Sequence, residues 1–253
     1  IDVFDELAIK DVVSWTALIS GYVEHGFDKE ALECLQQMEQ VNVYPDAGTY
    51  VCCLKACANL GNVDVALKLH VDIVVDAMEK NGIVGSALVD MYAKTHMLEE
   101  AQGVFDGLGA RNVVTWTALI AGYLDHGLPH EALSLYKRIQ ADGILPDVIS
   151  FTCALKASTS LKHSLEGRGI HMEVVKHGLD NDSLIGSSLV DLYAKCGLFE
   201  KAQQILEEHP VRDVVSWNAL MAACTWPDLH DEALVSLELM QLEGICPNPV
   251  TFV

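Results

Sequence analysis

The stretch Asp11 to Tyr22, DVVSWTALISGY, returns as NVVTWTALIAGY at Asn112 to Tyr123 and as DVVSWNALMAAC at Asp213 to Cys224. The copies start 101 residues apart, so Trp15, Trp116 and Trp217 share one register. Self-similarity at a fixed long period marks an array, in which function lies on a surface built by stacking units rather than in one cleft. Other landmarks keep the phase. Glu30-Ala31-Leu32 returns as Glu131-Ala132-Leu133 and Glu232-Ala233-Leu234, and Pro45-Asp46 as Pro146-Asp147 and Pro247-Asn248. Between them lie GSALVDMYAK at Gly85 to Lys94 and GSSLVDLYAK at Gly186 to Lys195, and a third kind of unit in which Cys53-Leu54-Lys55-Ala56 is echoed by Ala154-Leu155-Lys156-Ala157.

Cutting at the Val-Val pairs gives units 12–46, 47–81 and 82–112, of 35, 35 and 31 residues, then 113–147, 148–182 and 183–213 with the same lengths. A seventh unit spans 214–248, residues 249–253 open an eighth, and residues 1–11 read as the tail of a 31-residue unit. A chain that starts and stops inside units is expected to be a piece of a longer array.

Within each unit the apolar residues follow helical spacing, as in Trp15, Leu18, Ile19 and Tyr22, then Ala31, Leu32, Leu35 and Met38. Gly26 and Gly127 fall between two such runs, where a helix C-terminus uses a positive φ, and Pro129 suits the first turn of the next helix. Each unit therefore reads as two helices. The expected fold is all-α, a right-handed superhelical solenoid of stacked antiparallel helix pairs, each burying its apolar face on its neighbours.

Apolar residues make up 51% of the 253, enough for a continuous core, yet no uncharged apolar run reaches the ~18 residues of a membrane span. The formal charge of −20 repels phosphate at long range. Net charge is not the local field, since within a Debye length of ~8 Å a few lysines along a groove outweigh acids on the outer face. The eight cysteines lie mostly inside apolar helical runs and form no CxxC, which points to core packing in a reducing compartment rather than a zinc site. Cys53 and Cys57 are one helical turn apart and, with His70, make the one alternative metal set. His171-Met172-Glu173 matches half of a zinc deaminase signature, but the Pro-Cys-x-x-Cys half is missing. No phosphate-binding GxxxxGK[ST], GxSxG or HExxH occurs, so the chain reads as no enzyme, with no metal and no cofactor.

Two-helix units of 35, 35 and 31 residues in rotation, carrying VVSWTALISGY, EAL and PD, then LKACA, then ALVDMYAK, resemble the pentatricopeptide repeat proteins of plant organelles, specifically the subclass that alternates P, L and S motifs. The resemblance covers the whole chain. It makes 12–46, 113–147 and 214–248 P repeats, 47–81 and 148–182 L repeats, and 82–112 and 183–213 S repeats, with residues 1–11 the tail of an S repeat and 249–253 the start of an L repeat. It implies mitochondrial or chloroplast location, and single-stranded RNA binding at one base per repeat.

In such proteins a base is read by the fifth residue of a repeat together with its last, because a short hydroxyl or amide and an acid or amide can jointly complement a base edge. Residue by residue, the resemblance offers Thr16 with Asp46 for guanine, Ser86 with Asn112 for adenine, Thr117 with Asp147 for guanine, Ser187 with Asp213 for guanine, and Asn218 with Asn248 for a pyrimidine. In the L repeats Thr152 with Asp182 favours guanine, and Val51 with Asn81 has no polar first member. The implied RNA is 5′-G-n-A-G-G-G-C/U-3′. The second residue of each repeat is an apolar wedge against a base face: Val13, Ile83, Val114, Ile149, Leu184 and Val215, with Gly48 departing from the pattern. Lys94 and Lys195 stand where phosphate-binding lysines are expected; the matching P positions hold Glu24, Asp125 and Trp226. Trp226-Pro227-Asp228 replaces the Glu-His-Gly turn, so the first helix of 214–248 is expected to end early.

The alternative reading is a protein- or peptide-binding helical scaffold, whose acidic groove suits a basic partner. The resemblance supplies a candidate partner, the multiple organellar RNA editing factor proteins, on the L repeats. It also implies that a cytidine deaminase domain for RNA editing, where one exists, lies beyond Val253.

Overall fold

The computed structural model describes residues 4, 6, 7, 9–210, 212–224 and 230–252, the last range by backbone alone at its two ends. Among the described residues every regular element is helical. The chain forms two compact units, residues 1–126 and 127–253.

The first unit holds α1 (Val12–Glu24), α2 (Asp28–Gln40), α3 (Ala47–Leu60), α4 (Val63–Val75), α5 (Gly82–Lys94), α6 (Leu98–Gly107) and α7 (Val113–Asp125). Here α1 packs on α3, α3 on α5 and α5 on α7, forming one layer. Each of α2, α4 and α6 lies between the helix before it and the helix after it, forming the second layer. The second unit holds α8 (Pro129–Ala141), α9 (Val148–Ser160), α10 (Ser164–Lys176), α11 (Ser183–Lys195), α12 (Phe199–Glu208), α13 (Val214–Ala223) and α14 (His230–Leu242), then a 3₁₀ turn at Pro249–Phe252. It repeats the scheme, with α9 on α11 and α11 on α13.

The first-layer helices start where a side chain can satisfy the orphan N–H groups of a first turn. Asp11, Asp46, Asn81, Asn112, Asp147, Asp182 and Asp213 each cap the helix that follows with a side-chain oxygen. They end at left-handed residues, among them Gly26 at φ 76° and Gly127 at φ 71°, which lets the chain reverse within a few residues. Pro129 occupies the first turn of α8, where its missing N–H costs nothing. α13 ends at Ala223 after 10 residues, whereas α1 and α7 run for 13. The early end expected there is observed; the replacement that motivated it, Trp226-Pro227-Asp228, lies outside the described residues.

Apolar periodicity becomes burial. Trp15, Ile19 and Val23 line the inner stripe of α1, and Ala31, Leu32, Leu35 and Met38 that of α2. Each such side chain contributes roughly 1.5–3 kcal/mol on leaving water. Trp116 is completely buried and meets Phe105 edge-on, ring centroids 4.7 Å apart. In the second unit Leu206 stands in the register of Phe105, and a cavity of about 350 Å³ opens beside Leu206, Trp217, Leu220 and Val235.

Candidate nucleic-acid interface

The second residue of each first-layer helix faces solvent although a buried residue follows within two positions. Val13 is 69% exposed, Ile83 67%, Val114 59%, Ile149 54%, Leu184 58% and Val215 59%. Val250, which the sequence reading did not name, follows the same register at 66%. Single exposed apolar residues are ordinary, but one at the same place in the first turn of every helix pair except that beginning at Ala47 is a pattern.

Beside each of these side chains stands the capping residue. Asp46 Oδ1 accepts from Thr49 N at 2.8 Å and from the Thr49 hydroxyl at 2.9 Å, and the Thr49 and Thr16 hydroxyl oxygens lie 2.7 Å apart. An ionised carboxylate only accepts, so Thr49 gives its proton to Asp46 and receives one from Thr16. Thr49 Oγ1 also accepts from Asp46 N at 3.3 Å, which completes a capping box. Thr16 thus keeps only lone pairs for anything outside. Asn112 repeats the arrangement: its Oδ1 accepts from Thr115 N and the Thr115 hydroxyl, both at 2.9 Å, and Ser86 Oγ lies 2.6 Å from Thr115 Oγ1. With Oδ1 so engaged, the Asn112 amide turns its NH₂ donor outward.

In the second unit the Ser216 hydroxyl donates to Asp213 at 2.5 Å while Ser187 Oγ lies 3.0 Å from Ser216 Oγ and 3.3 Å from both Asp213 oxygens. Thr251 donates to Asn218 Oδ1 at 2.7 Å, and Asn218 Nδ2 donates to Asn248 Oδ1 at 3.1 Å. Four expected pairs are therefore brought together through a third residue. Thr117 lies in α7, 7% exposed, and Asp147 caps α9, accepting from Ser150 N at 2.8 Å.

Two junctions differ. Asn81 Oδ1 accepts only from backbone, Ile83 N at 3.0 Å and Val84 N at 3.3 Å, and Asp182 Oδ1 does the same with Leu184 N and Ile185 N at 2.9 and 3.3 Å. The third residue of the following helix is Val84 or Ile185, with no hydroxyl to offer. Thr152 donates instead to its own helix, to Val148 O at 2.8 Å.

At Gly48 the wedge is missing, and a groove of about 530 Å³ runs from Val13 past Thr16, Asp46, Gly48 and Val51 to Ile83. A Cβ at Gly48 would lie 3.3 Å from Asp46 Oδ1 and 3.5 Å from Thr16 Cγ2. Lys94 and Lys195 are more than half exposed, and each pairs with an acid one turn earlier, Asp90 at 2.8 Å and Asp191 at 2.9 Å. Exposed pairs of this kind contribute little, so the ammonium can exchange its partner. Glu24 accepts from Ser20 at 3.3 Å, Asp125 is exposed, and Trp226 lies outside the described residues.

The other chemistry candidates disperse. Cys53 and Cys57 are completely buried; burial drives the Cys57 thiol up to about 12 and that of Cys53 well above its usual range. His70 bonds Tyr92 Oη at 2.6 Å instead of joining them. His171 bonds Tyr193 Oη at 2.9 Å, with its pKa lowered by burial, and Glu173 pairs with Lys176. Among the described residues no three His, Cys, Asp or Glu side chains converge on a metal position.

Sequence reasoning missed the third member of each linked set. Its signal was available, because Asp46-x-x-Thr49, Asn112-x-x-Thr115, Asp147-x-x-Ser150, Asp213-x-x-Ser216 and Asn248-x-x-Thr251 alternate with Asn81-x-x-Val84 and Asp182-x-x-Ile185. Asp46 and Asp147, named from the sequence for base reading, are in addition helix caps.

A model of the PPR repeat family matches residues 10–59 and 111–158, and a PPR repeat model matches 86–113, 187–208 and 215–245. Pentatricopeptide repeat-containing protein At2g33680 of Arabidopsis thaliana is 36% identical over 99% of this chain, and At4g18520 of the same plant, a chloroplastic protein, 34% over 98%. The mitochondrial At3g09040 is 36% identical over 99%. These organellar names support an organellar location. The chain spans 34%, 40% and 24% of the lengths of those three relatives, respectively. Among solved structures, the pentatricopeptide repeat protein PPR10 in complex with an 18-nucleotide psaJ RNA element matches 97% of this chain and 37% of its own, with a TM-score of 0.81 at 21% identity. That likeness shows the fold, a solenoid of stacked helix pairs, as the repeat spacing led one to expect. Repeat models spread from residue 10 to residue 245, relatives matched along nearly the whole chain, and a shared fold together place this chain in the pentatricopeptide repeat family.

Proposed function

We propose that this chain binds single-stranded RNA, one base to a repeat, as the targeting part of an organellar RNA editing or processing factor. The repeat boundaries belong to the same proposal: units 12–46, 47–81, 82–112, 113–147, 148–182, 183–213 and 214–248. The observation that carries it is the row of exposed apolar side chains, each beside a capping Asp or Asn whose outward polarity is set by its inner bonds. Apolar wedges suit the faces of unstacked bases, and PPR10, which shares the fold, is solved with RNA.

Polarity supports the base assignments. Thr16 and Asp46 offer acceptors only, complementary to the N1–H and N2–H₂ donors of guanine; Ser187 with Asp213 is of the same kind. Ser86 with Asn112 offers an acceptor and a donor, complementary to N1 and N6–H₂ of adenine. Thr117 with Asp147 and Thr152 with Asp182 enter by register, and Asn218 with Asn248 presents two amides, suited to a pyrimidine. Lys94 and Lys195 exchange Asp90 and Asp191 for phosphates.

The test is fluorescence anisotropy with 5′-GNAGGGC-3′ against the same RNA with each guanine changed to adenine, across rising salt. Preference for the first RNA is expected; equal affinity at every salt concentration would sink base reading.

A second observation favours a protein partner alongside RNA. α4 exposes Leu67, Val71, Val74 and Val75 along one face, and α10 exposes Leu165, Met172 and Val175, whereas the exposed residues of α2 and α8 are mostly charged groups and amides such as Lys29, Gln36, Glu131 and Lys137. Both stripes lie on the units read as L repeats, which suits docking of editing-factor proteins there. Retention of a purified editing factor by the intact chain, lost on changing Val71 and Val75 to serine, is the expected result.

A further inference from the structure

The hydroxyl that links each base-facing pair lies inside the protein, and the RNA cannot touch it. Thr49 is completely buried, Thr115 is 1% exposed and Ser216 3%. We infer that Thr49 is a positioning residue for base discrimination, fixing which way the hydroxyl of Thr16 points. This rests on the RNA-reading proposal above and adds to it a third residue at the first base.

Single protons decide the polarity of the pair. The Thr49 hydroxyl has one, and the Asp46 carboxylate 2.9 Å away can only accept it. Thr49 Oγ1 then faces Thr16 as an acceptor at 2.7 Å, so the Thr16 proton is spent inward. What Thr16 shows to solvent is an oxygen with lone pairs. Beside Asp46, that oxygen rejects a base edge that also presents an acceptor, and adenine presents N1. Ser86, Ser187 and Thr152 each donate to the carbonyl one turn back, whereas the Thr16 hydroxyl is turned to Thr49; without the buried hydroxyl its proton is free to turn outward, and the pair accommodates adenine as well as guanine. At Ser86 the proton is shared between Gly82 O at 2.7 Å and Thr115 Oγ1 at 2.6 Å, and either choice keeps it inside.

The chain contains its own control. At the same place in the next helix pair stand Val84 and Ile185, both completely buried, so the position accepts a branched apolar side chain without loss of the fold. Thr49→Val is therefore expected to fold. A role confined to helix capping would change stability, or weaken all RNAs alike. A positioning role changes the ratio of affinities between two RNAs that differ in one base.

The experiment measures that ratio on the intact chain, for 5′-GNAGGGC-3′ and 5′-ANAGGGC-3′. Thr49→Val should lower the guanine preference about fivefold to tenfold, the equivalent of one hydrogen bond. Thr49→Ser, which keeps the hydroxyl, should restore it. Ile185→Thr should sharpen the guanine preference at the fifth base, where Thr152 and Asp182 then gain a link. Asp46→Asn is the reference, because asparagine caps a helix as well as aspartate does, and it should move preference toward adenine. Should Asp46→Asn shift the ratio while Thr49→Val leaves it unchanged, or lowers both affinities equally, the positioning role is overturned and base reading stands. Should Asp46→Asn itself leave the ratio unchanged, base reading falls and the positioning role with it.

Discussion

The junctions at 46–49 and 81–84 do the same structural work with different chemistry. In both, an Asp or Asn caps a first-layer helix, and the third residue of that helix is completely buried. At the first that residue is threonine, bonded to the cap and to Thr16; at the second it is valine, and Asn81 bonds only to backbone. Folding asks for a cap and a filled position. On the proposed reading, recognition asks for a particular proton at that position, so the two demands can vary independently from repeat to repeat.

The strongest way to break this comparison is to convert one junction into the other. Val51→Thr with Val84→Thr supplies both missing hydroxyls beside Asn81, and adenine should become preferred at the second base by about tenfold, a factor within reach of one well-placed pair. Anisotropy with adenine or guanine at that base checks it; indifference would mean that the linkage is only a cap.

Charge should act on a separate axis. Glu24→Lys with Asp125→Lys is expected to tighten RNA binding and steepen the plot of log affinity against log salt by about 1.4, at about 0.7 per added charge on a single strand. The ratio between matched and mismatched RNA should not move. A changed ratio would show that the acids reach the bases.

A smaller effect is expected at the open slot between the two junctions. Gly48→Val places a divider between Val13 and Ile83, where the other junctions already have one, and should raise affinity about threefold through added contact with a base face. Its Cβ would approach Asp46 Oδ1 at 3.3 Å, so a loss of guanine preference would show that the carboxylate has been displaced.

The smallest effect lies away from any RNA. Ala77 sits at φ 56°, in the register where the second cycle has Gly178 at φ 66°. Ala77→Gly removes a left-handed strain of about 1–2 kcal/mol and loses part of that to unfolded-state entropy. The melting temperature should rise by about 2 °C with RNA affinity unchanged.

Much of this was legible in the residues. The 101-residue period, the two-helix unit, the glycine turns and the early end of α13 were all expected, because helical periodicity and turn chemistry are local. The wedge positions were legible as well, but their exposure was not: Val12-Val13 and Val214-Val215 are pairs of identical residues, and only packing decides that Val13 and Val215 face out. Lys94 and Lys195 read as phosphate ligands, yet each is paired with an acid one turn back, a contact that sequence spacing allows without requiring.

By itself the sequence determined the period, the two-helix unit and the glycine turns, since these depend on side chains within one or two turns of one another. Only the tertiary structure decided that Thr16 and Thr49, 33 residues apart, share a hydrogen bond, and so which proton points inward. The physical reason is that a hydroxyl's polarity is set by whatever partner lies within about 3 Å, and in a stack of helix pairs that partner comes from the next pair.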